Sequence, residues 1–405
     1  KLDEEFNIND KFNKMIIDDY ENADYEIDDL EQYILEKYKV DVTGKYGDLE
    51  IRNPFGKASG QLSSTLKQVE TDAQDGLGFV VLKTVISQDE LNESEMKEWK
   101  VSAPKMVVEK ITSEQGEEGY TVTWKGRGWD KSFEDYLKLV KESYKVSEEY
   151  NIPVIPSVQY HLPEMHEEFK ESEYEYTTKR IEEVWKKSNI KLPFIIEQDF
   201  SATLSSMDNS KEQVLRWVKE VPKLVNKYVK TKDFIFGMKL FNPPLGDEFQ
   251  VQMLEELNKL KPFVNSITAF NRLFDRDKEF EGKKGIAYGG YDLSDRNLRV
   301  LDKFNEINVN DVPISATGNV NSGRMMIEYA LRGATSGQMH TYFQLPNNNY
   351  NLKDGSRTRK ALHELMFNPK DGLVPGMLHL KTKFNISEDE VLKFLDIKKL
   401  YTIRK

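Results

Sequence analysis

The sequence predicts an α/β protein folded as a (β/α)8 TIM barrel with helical extensions at its N- and C-terminal ends. About eight apolar segments of strand length alternate along the chain with longer amphipathic segments of helical period. The strand segments are mostly apolar, as expected where both faces of a parallel sheet are covered. Polar residues collect at their C-terminal ends, the face on which barrel enzymes keep their active sites. A doubly wound open sheet fits less well, because no GxGxxG turn follows the first strand.

Composition narrows the classes of function. The 405 residues carry a net charge of −11, which argues against nucleic acid as the main partner. The chain has no cysteine, which excludes disulfides, cysteine-ligated iron–sulfur clusters and a cysteine nucleophile. No apolar run approaches the ~18 residues of a membrane span, and the acidic first residues do not resemble a secretory signal. We therefore expect a cytoplasmic protein without a membrane span.

The chain divides into three regions. Residues 1–44 are charged with weak helical periodicity, so we predict an N-terminal helical extension. Residues 45–345 contain the alternating segments of the barrel. Residues 346–405 form a predicted C-terminal helical extension with helices at 357–366 and 387–394. We expect this extension to pack on the barrel or against a second subunit, as in a homodimer.

The barrel region begins with a short strand at 49–51 and a loop of small residues, Ala58, Ser59 and Gly60, which would let a flat ligand approach the backbone. For residues 85–130 we predict an irregular cover over a cavity, because three tryptophans lie in a polar segment. The other predicted strands are 78–84, 152–158, 193–199, 234–240, 264–270, 312–316 and 335–339, and the predicted helices are 63–75, 132–150, 164–188, 211–227, 248–260, 294–305 and 323–331.

The clearest single unit is a predicted βαβ unit at 312–343. Its first strand turns through glycine and asparagine into a helix that Ser322 or Asn321 caps and Gly333 ends. Its second strand ends in a polar turn. Two strand-end turns side by side expose backbone N–H groups and make a cradle for a phosphate. The residues that we place at this cradle are Gly318, Asn319, His340 and Thr341.

Several of these motifs, taken in order, resemble the dihydroorotate dehydrogenase family of FMN-dependent barrels. The resemblance covers roughly residues 45–345 and includes Asn53-Pro54, Ala58-Ser59-Gly60, Leu82-Lys83-Thr84, Lys239-Leu240, Asn271, Gly289-Gly290, Thr317-Gly318-Asn319-Val320 and the segment from Gln338 to Thr341. It implies FMN as the cofactor. It further implies that Ala58, Ser59 and Gly60 run along the flavin, that Lys83 and Lys239 contact it, and that Gly289, Gly290, Gly318, Asn319, His340 and Thr341 hold its ribityl chain and phosphate. Thr84 and Asp199 complete the implied cofactor set.

The chain also departs from the family pattern. The position of the family's catalytic base falls on Ala202, which cannot transfer a proton, and Asp199 replaces an asparagine. A second asparagine-rich loop becomes the segment 124–129, and of the substrate amides Asn271 is kept. We therefore predict a substrate other than dihydroorotate, with Lys83, Asp199, Ser201 and Asn271 as the catalytic residues. Further candidates for proton transfer or anion binding are Tyr160, His161, Thr203, Lys125 and Arg127.

Three functions follow from these observations. The first is an FMN-dependent oxidoreductase that acts on a small-molecule substrate and passes electrons to an acceptor that the sequence does not identify. The second is a flavin-binding barrel without redox turnover, which the missing base favours. The third is a barrel enzyme of another class, such as a phosphate-handling lyase or isomerase that uses Lys83 or Lys239. A flavin absorbance spectrum would exclude the third.

Overall fold

A computed structural model of the chain describes residues 2, 5–97, 105–112, 116, 118–125, 128–200, 210–243, 245–280, 283–288, 291–307 and 312–402. Over these ranges the protein is a mixed α/β fold. Its central element is a parallel sheet of ten strands that curls into a barrel-like shape. Of the helices in the described ranges, none is both long and apolar enough to cross a membrane.

The described ranges contain twelve α-helices, several of which begin at a side-chain cap. Asn9, Ser132 and Ser356 each accept a hydrogen bond from the backbone N–H three residues further on, which satisfies one of the free donors of the first turn. The helices are α1 Asp10–Asn22, α2 Leu30–Tyr38, α3 Leu66–Gln74, α4 Phe133–Tyr150, α5 Glu171–Lys186, α6 Ser210–Tyr228, α7 Asp247–Lys259, α8 Tyr291–Ile307, α9 Gly323–Leu331, α10 Arg357–Phe367, α11 Leu373–Lys383 and α12 Ile397–Thr402.

The strands of the same ranges are mostly short. They are β1 Val40–Asp41, β2 Gly44–Tyr46, β3 Leu49–Ile51, β4 Phe55–Lys57, β5 Phe79–Val81, β6 Val85–Ile86, β7 Lys105–Thr112, β8 Glu118–Lys125, β9 Val154–Ile155, β10 Ser157–Gln159, β11 Phe194–Asp199, β12 Phe234–Lys239, β13 Ser266–Ala269, β14 Leu273–Phe280, β15 Lys283–Tyr288, β16 Ile314–Ala316, β17 Ala334–Met339 and β18 Leu392–Lys393.

The central sheet has the order β6-β10-β11-β12-β13-β16-β17-β4-β5-β9, and all its pairs are parallel. The first strand in this order, β6, directly follows β5 in the chain, and the last strand, β9, directly precedes β10. Residues 82–84 alone separate β5 from β6, and Pro156 alone separates β9 from β10. Val80 of β5 pairs with Val154 of β9, and Val85 of β6 pairs with Val158 of β10. The two pieces of chain that carry these four short strands therefore pair with each other at two places in the curled, barrel-like sheet.

Helices cover the outside of the curled sheet. From α3 to α8, each helix packs against the next in sequence. Helix α6 shows why these segments fold as they do, because Val214, Val218, Val221 and Val225 recur at helical spacing and are fully buried. The predicted alternation of strands and helices is confirmed for this part of the chain.

The hairpin of β2 and β3 places Tyr46 inside the curled sheet, at the N-terminal ends of the parallel strands, where the ring is fully buried. A Cβ atom on Gly237 would lie 2.2 Å from the Tyr46 hydroxyl, so glycine is required at that position to admit the tyrosine. The apolar side chains that pack with Tyr46 are Ile51, Phe79, Val81, Ile155, Ile195 and Ile235. They fill the interior at this end and leave the opposite end for polar residues.

A four-stranded antiparallel sheet with the order β14-β15-β8-β7 lies apart from the central sheet. Strands β7 and β8 pair from Lys105↔Lys125 to Thr112↔Glu118, so the prediction of an irregular segment over 85–130 was wrong there. Strands β14 and β15 also replace a predicted loop. The polar residues of β7 led to the wrong interpretation, because an antiparallel ribbon does not need the apolar runs of a doubly covered parallel strand.

The N- and C-terminal extensions pack together rather than separately. Strands β1 and β18 form a parallel pair that joins Val40 to Leu392. Helix α1 packs on α10, and α2 packs on α11. The Tyr25 hydroxyl lies 2.7 Å from His363 Nδ1. A helix predicted at 387–394 was wrong, because Leu392 is drawn into the strand pair with β1.

Candidate active site

Polar side chains converge at the mouth, by which we mean the C-terminal ends of the parallel strands. Along β11, Ile195, Glu197 and Asp199 share one face, because side chains alternate along a strand. Ile195 packs in the apolar cluster of Tyr46, Glu197 accepts a 2.8 Å hydrogen bond from the Tyr46 hydroxyl, and Asp199 is the last residue of the strand. Asp199 pairs in register with Lys239 of β12. Both charged residues therefore end their strands side by side.

Thr84 connects three strands at the mouth. Its hydroxyl donates to Asp199 Oδ2 at 2.8 Å, and it lies 2.8 Å from the hydroxyl oxygens of Ser59 and Ser157. A hydroxyl has one proton and two lone pairs. Since Thr84 uses its proton on Asp199, Ser59 and Ser157 are the donors to Thr84. The arrangement fixes Ser59 and Asp199 relative to each other and confirms that the residues after β4, β5 and β11 meet.

Four positive charges surround His340, which follows β17. Burial and the charges of Lys57, Lys239, Arg272 and Lys83, in that order, lower the pKa of the imidazole to about 3. These cations come from four different segments of the sheet. The imidazole is therefore neutral at physiological pH.

Lys83 lies between β5 and β6 and is only 7% exposed. Burial lowers the pKa of its ammonium group, and the negative charge of Asp130 opposes that shift. The backbone N–H of Lys83 donates to the Ser63 carbonyl at 2.9 Å. The lysine is therefore held at the mouth and does not extend into solvent, which was the alternative for a lysine at a strand end.

The loop of Ala58, Ser59 and Gly60 lies directly against His340. The N–H of Ala58 donates to the Met339 carbonyl at 2.8 Å. A Cβ atom on Gly60 would lie 2.4 Å from His340 Nε2, too close for any side chain to fit without moving the ring. The loop packs closely against His340, and its predicted contact with a flat ligand stays a prediction from the sequence.

The turn after β16 has the backbone that the sequence predicted. Gly318 and Asn319 adopt φ values of +99° and +54°, a region that glycine enters freely and asparagine tolerates. A Cβ atom on Gly318 would lie 2.4 Å from Asn297 Nδ2, and Asn319 donates from Nδ2 to Ser294 Oγ at 2.9 Å. Helix α8 therefore braces this turn. The predicted cap is also confirmed, because Ser322 accepts from Met325 N.

Asn271 follows β13 and is fixed through its backbone. Its N–H donates to the Leu240 carbonyl at 2.6 Å, and its carbonyl accepts from Asn242 Nδ2 at 2.7 Å. The residue stays half-buried at the mouth. Thr341 is also half-buried, and it begins a short 3₁₀ helix, Thr341–Gln344, directly after His340.

A buried carboxylate lies below Lys239. Glu197 Oε2 accepts hydrogen bonds from the Tyr46 hydroxyl at 2.8 Å, from Thr268 Oγ1 at 2.9 Å and from Gln338 Nε2 at 2.7 Å. Burial raises the pKa of Glu197, while the charge of Lys239 and these donors oppose the rise. This network joins β11, β13 and β17 beneath the mouth.

Two further candidates for proton transfer pack against α5. The Tyr160 hydroxyl lies 2.6 Å from Thr178 Oγ1, and its ring stacks on Tyr174 with centroids 4.6 Å apart. His161 Nδ1 accepts from the N–H of Lys170 at 3.0 Å, and burial lowers the pKa of His161. Both side chains therefore serve the packing between β10 and α5.

Some sequence predictions lie outside the described residues. They concern Ser201, Ala202, Thr203, Arg127, Gly289 and Gly290. Lys125 ends β8, and its side chain is not described. The interpretation of Ala202 as the position of a lost base therefore stays a prediction from the sequence.

Sequence reasoning missed three residues at the mouth. Lys57 and Arg272 contribute charge at His340, and Ser157 donates to Thr84. A usable signal existed for two of them, because Lys57 ends a strand and Arg272 adjoins Asn271. Ser157 carried no signal, since a serine within a predicted strand is ordinarily a packing residue.

No family model matches the chain, and no curated protein matches it. The resemblance to the dihydroorotate dehydrogenase family therefore stays a prediction from the motifs. Within the described ranges, no group of three or more histidine, aspartate or glutamate residues is arranged to hold a metal ion.

Proposed function

We propose that the barrel-like sheet is a closed (β/α)8 barrel. Counting β5 with β6, and β9 with β10, as single interrupted strands turns the ten strands into eight. The register pairs at both halves of these strands support closure. A helix follows each of the eight, from α3 after β4 to α10 after β17, as the barrel requires.

We propose that the protein is an FMN-dependent oxidoreductase that acts on a substrate other than dihydroorotate. The observation that carries the proposal is that Lys83, Lys239 and Arg272 contribute positive charge at the neutral His340, whereas Lys57 is paired with Asp72. Basic side chains from three segments at the end of the parallel strands support an anionic ligand at that end. The ordered motifs that resemble the flavin family make FMN the preferred ligand.

The residues at the mouth fit a planar, phosphorylated cofactor. Gly60 packs against His340 and Gly318 packs against Asn297 of α8, so both strand-end loops are held in place by neighbouring side chains. Ser59 and Gly60 would lie along the flavin ring, and Lys83 and Lys239 would offer it positive charge. The groups that would hold the ribityl chain and phosphate are Gly318, Asn319, His340 and Thr341, with Gly289 and Gly290 added by the resemblance.

FMN supplies two-electron redox chemistry when it is bound. The side chains of the protein would bind and orient the reactants and stabilise the developing charge. The ammonium groups of Lys83 and Lys239 would stabilise negative charge that develops beside them, a preorganised electrostatic effect. Thr84 would hold the Asp199 carboxylate in place, while Asn271 would donate and accept hydrogen bonds to the substrate.

The test is the absorbance spectrum of the purified 405-residue chain, followed by mass identification of the cofactor released by heat. We expect a yellow protein that releases FMN. Release of FAD would contradict the choice of cofactor, and failure both to purify with flavin and to bind added FMN would contradict the function. A protein that holds FMN but whose flavin stays oxidised with every reduced substrate tried would favour a binding role without turnover.

A further inference from the structure

A second cleft lies outside the mouth, where the N- and C-terminal extensions meet. Its volume is about 660 Å³. Helix α1 contributes Tyr20, helix α10 contributes Lys360 and Glu364, and the segment 347–353 forms the remaining wall together with Asn368. None of the mouth residues described above lines it. The cleft exists because the two extensions pack together, so neither extension forms it alone.

The one carboxylate that lines the cleft, Glu364, already accepts hydrogen bonds from neighbouring groups of the protein. Both oxygens of Glu364 accept from the Tyr20 hydroxyl at 3.0 Å, and Oε2 also accepts from Asn368 Nδ2 at 2.9 Å. The backbone N–H of Asn351 donates to Oε1. Glu364 is only 5% exposed. It therefore holds α1, α10 and the 347–353 segment together and is committed to these donors.

Lys360 has no such partner. It lies one helical turn before Glu364, lines the same cleft and is only 7% exposed. Among the described residues, its ammonium group takes part in no hydrogen bond or ion pair, and it is not one of the fully buried polar atoms, so it reaches the water of the cleft. An ammonium group that faces a partly enclosed cleft can form a charge-assisted hydrogen bond with an anion that enters it. Lys353, which is exposed, adds a second positive charge at the rim.

The rest of the wall is rich in amides. Asn347, Asn348 and Asn349 form a short 3₁₀ helix and are exposed, and Asn351 follows them. An asparagine side chain both donates and accepts, so it pairs well with hydroxyl groups. Bare phosphate would leave most of a 660 Å³ cleft and its amides unused.

We propose that this cleft binds a small phosphate monoester that carries several hydroxyl groups, of the sugar-phosphate class. The phosphate would pair with Lys360 and Lys353, and the hydroxyl groups would pair with the asparagine amides of the 347–351 wall. Two ammonium groups match the charge of a phosphate monoester at neutral pH. This site is separate from the mouth and does not depend on the proposed flavin chemistry.

The test is calorimetric titration of the 405-residue protein with glucose 6-phosphate, and with glucose, gluconate and inorganic phosphate as comparison probes. We expect glucose 6-phosphate to bind most tightly. Lys360→Met should weaken it at least about tenfold, since a charge-assisted hydrogen bond is lost. Lys370→Met, an exposed lysine of the same extension, should leave binding unchanged.

Folding of the variants is checked in the same experiment. Lys360→Met should melt close to the temperature of the parent without ligand, because it breaks no hydrogen bond or ion pair among the described residues. Asn348→Ala changes an exposed side chain of the wall and should weaken glucose 6-phosphate by a few-fold with no loss of fold. Equal binding by Lys360→Met and parent would overturn the proposal. So would gluconate or bare phosphate binding as tightly as glucose 6-phosphate, or no probe binding at all.

Discussion

The Thr84 hydroxyl donates to the Asp199 carboxylate at 2.8 Å and thereby joins two strands that are 115 residues apart in the chain. The same hydroxyl accepts from Ser59 and Ser157, so all its hydrogen-bonding capacity is used. Thr84 is therefore the organising residue on this side of the mouth.

Thr84→Val should destabilise the protein by about 1–3 kcal/mol, because it leaves Asp199 and two serine hydroxyls short of a partner. Thr84→Ser keeps the hydroxyl, so its loss of stability should be less than half of the loss in Thr84→Val. Urea denaturation of both variants measures the difference. Equal losses would show that the threonine methyl group, and not its hydrogen bonds, matters.

With FMN bound as proposed, Lys83→Ala should slow flavin reduction by an amount equivalent to ~2–4 kcal/mol, by analogy with removing one preorganised donor. Its effect on folding should be small, because the buried ammonium with its lowered pKa contributes little to stability. Stopped-flow reduction rates and a melting curve separate the two effects. Lys67→Ala, on the exposed face of α3, is the control. Equal reduction rates in parent and Lys83→Ala would refute this role.

The protein should not oxidise dihydroorotate at a useful rate. The family's base position falls on Ala202 in the sequence, and loss of a general base typically costs about 10²–10⁴-fold. Asp199 also adds a negative charge where the family has an amide. Mixing the protein with dihydroorotate without oxygen is the measurement. Rapid bleaching of the flavin would show that another side chain acts as the base.

Glu173 should make stability depend on pH. Burial raises its pKa from 4.5 to about 7, although Ser87 Oγ and Glu95 N both donate to its carboxylate. Because the folded-state pKa is above the unfolded one, this contribution is complete below about pH 4.5 and is lost as the pH rises towards 7.

Glu173→Gln should remove roughly 3 kcal/mol of the difference in unfolding free energy between acid and neutral pH. Denaturation at about pH 5 and about pH 8 measures that difference. The exposed Glu148→Gln should leave it as in the parent. A pH profile that Glu173→Gln does not change would mean that another group titrates with the fold.

Lys57→Met should cost about 3–5 kcal/mol of stability, because it leaves a buried carboxylate without its cation. Lys57 Nζ lies 3.0 Å from Asp72 Oδ1, and both side chains are almost fully buried. Thr358 of α10 also donates to Asp72 at 2.7 Å, so the pair ties the C-terminal extension to the sheet.

The double variant Lys57→Met with Asp72→Leu should recover most of that loss, since it removes both charges together. Thermal and urea unfolding of the parent, the two single variants and the double variant give the free energies of unfolding for a double-mutant cycle. A double variant no more stable than Lys57→Met would show that the pair is not the source of the cost.

The sequence by itself determined the alternation of strands and helices. Each of these segments can form its backbone hydrogen bonds and bury its apolar side chains in only one type of local structure. Examples are the strands predicted from the apolar runs at 234–240 and 312–316, and the helix α6 with its periodic valines. The turn at Gly318 and Asn319 was equally readable, because few residues adopt positive φ. The predicted convergence of Lys83, Asp199, Lys239 and His340 also rested on local signals at strand ends.

Tertiary structure alone decided which residues complete the mouth and how the ends of the chain are used. The charges of Lys57 and Arg272 act on His340 only because their strands curl towards β17. Strands β7 and β8 form because each supplies the other's hydrogen bonds, and a polar sequence does not reveal such pairing. Likewise, Leu392 becomes a strand residue because β1 lies beside it, 352 residues earlier in the chain. These outcomes depend on contacts between segments that are distant in the chain, and such contacts cannot be predicted from the local sequence pattern.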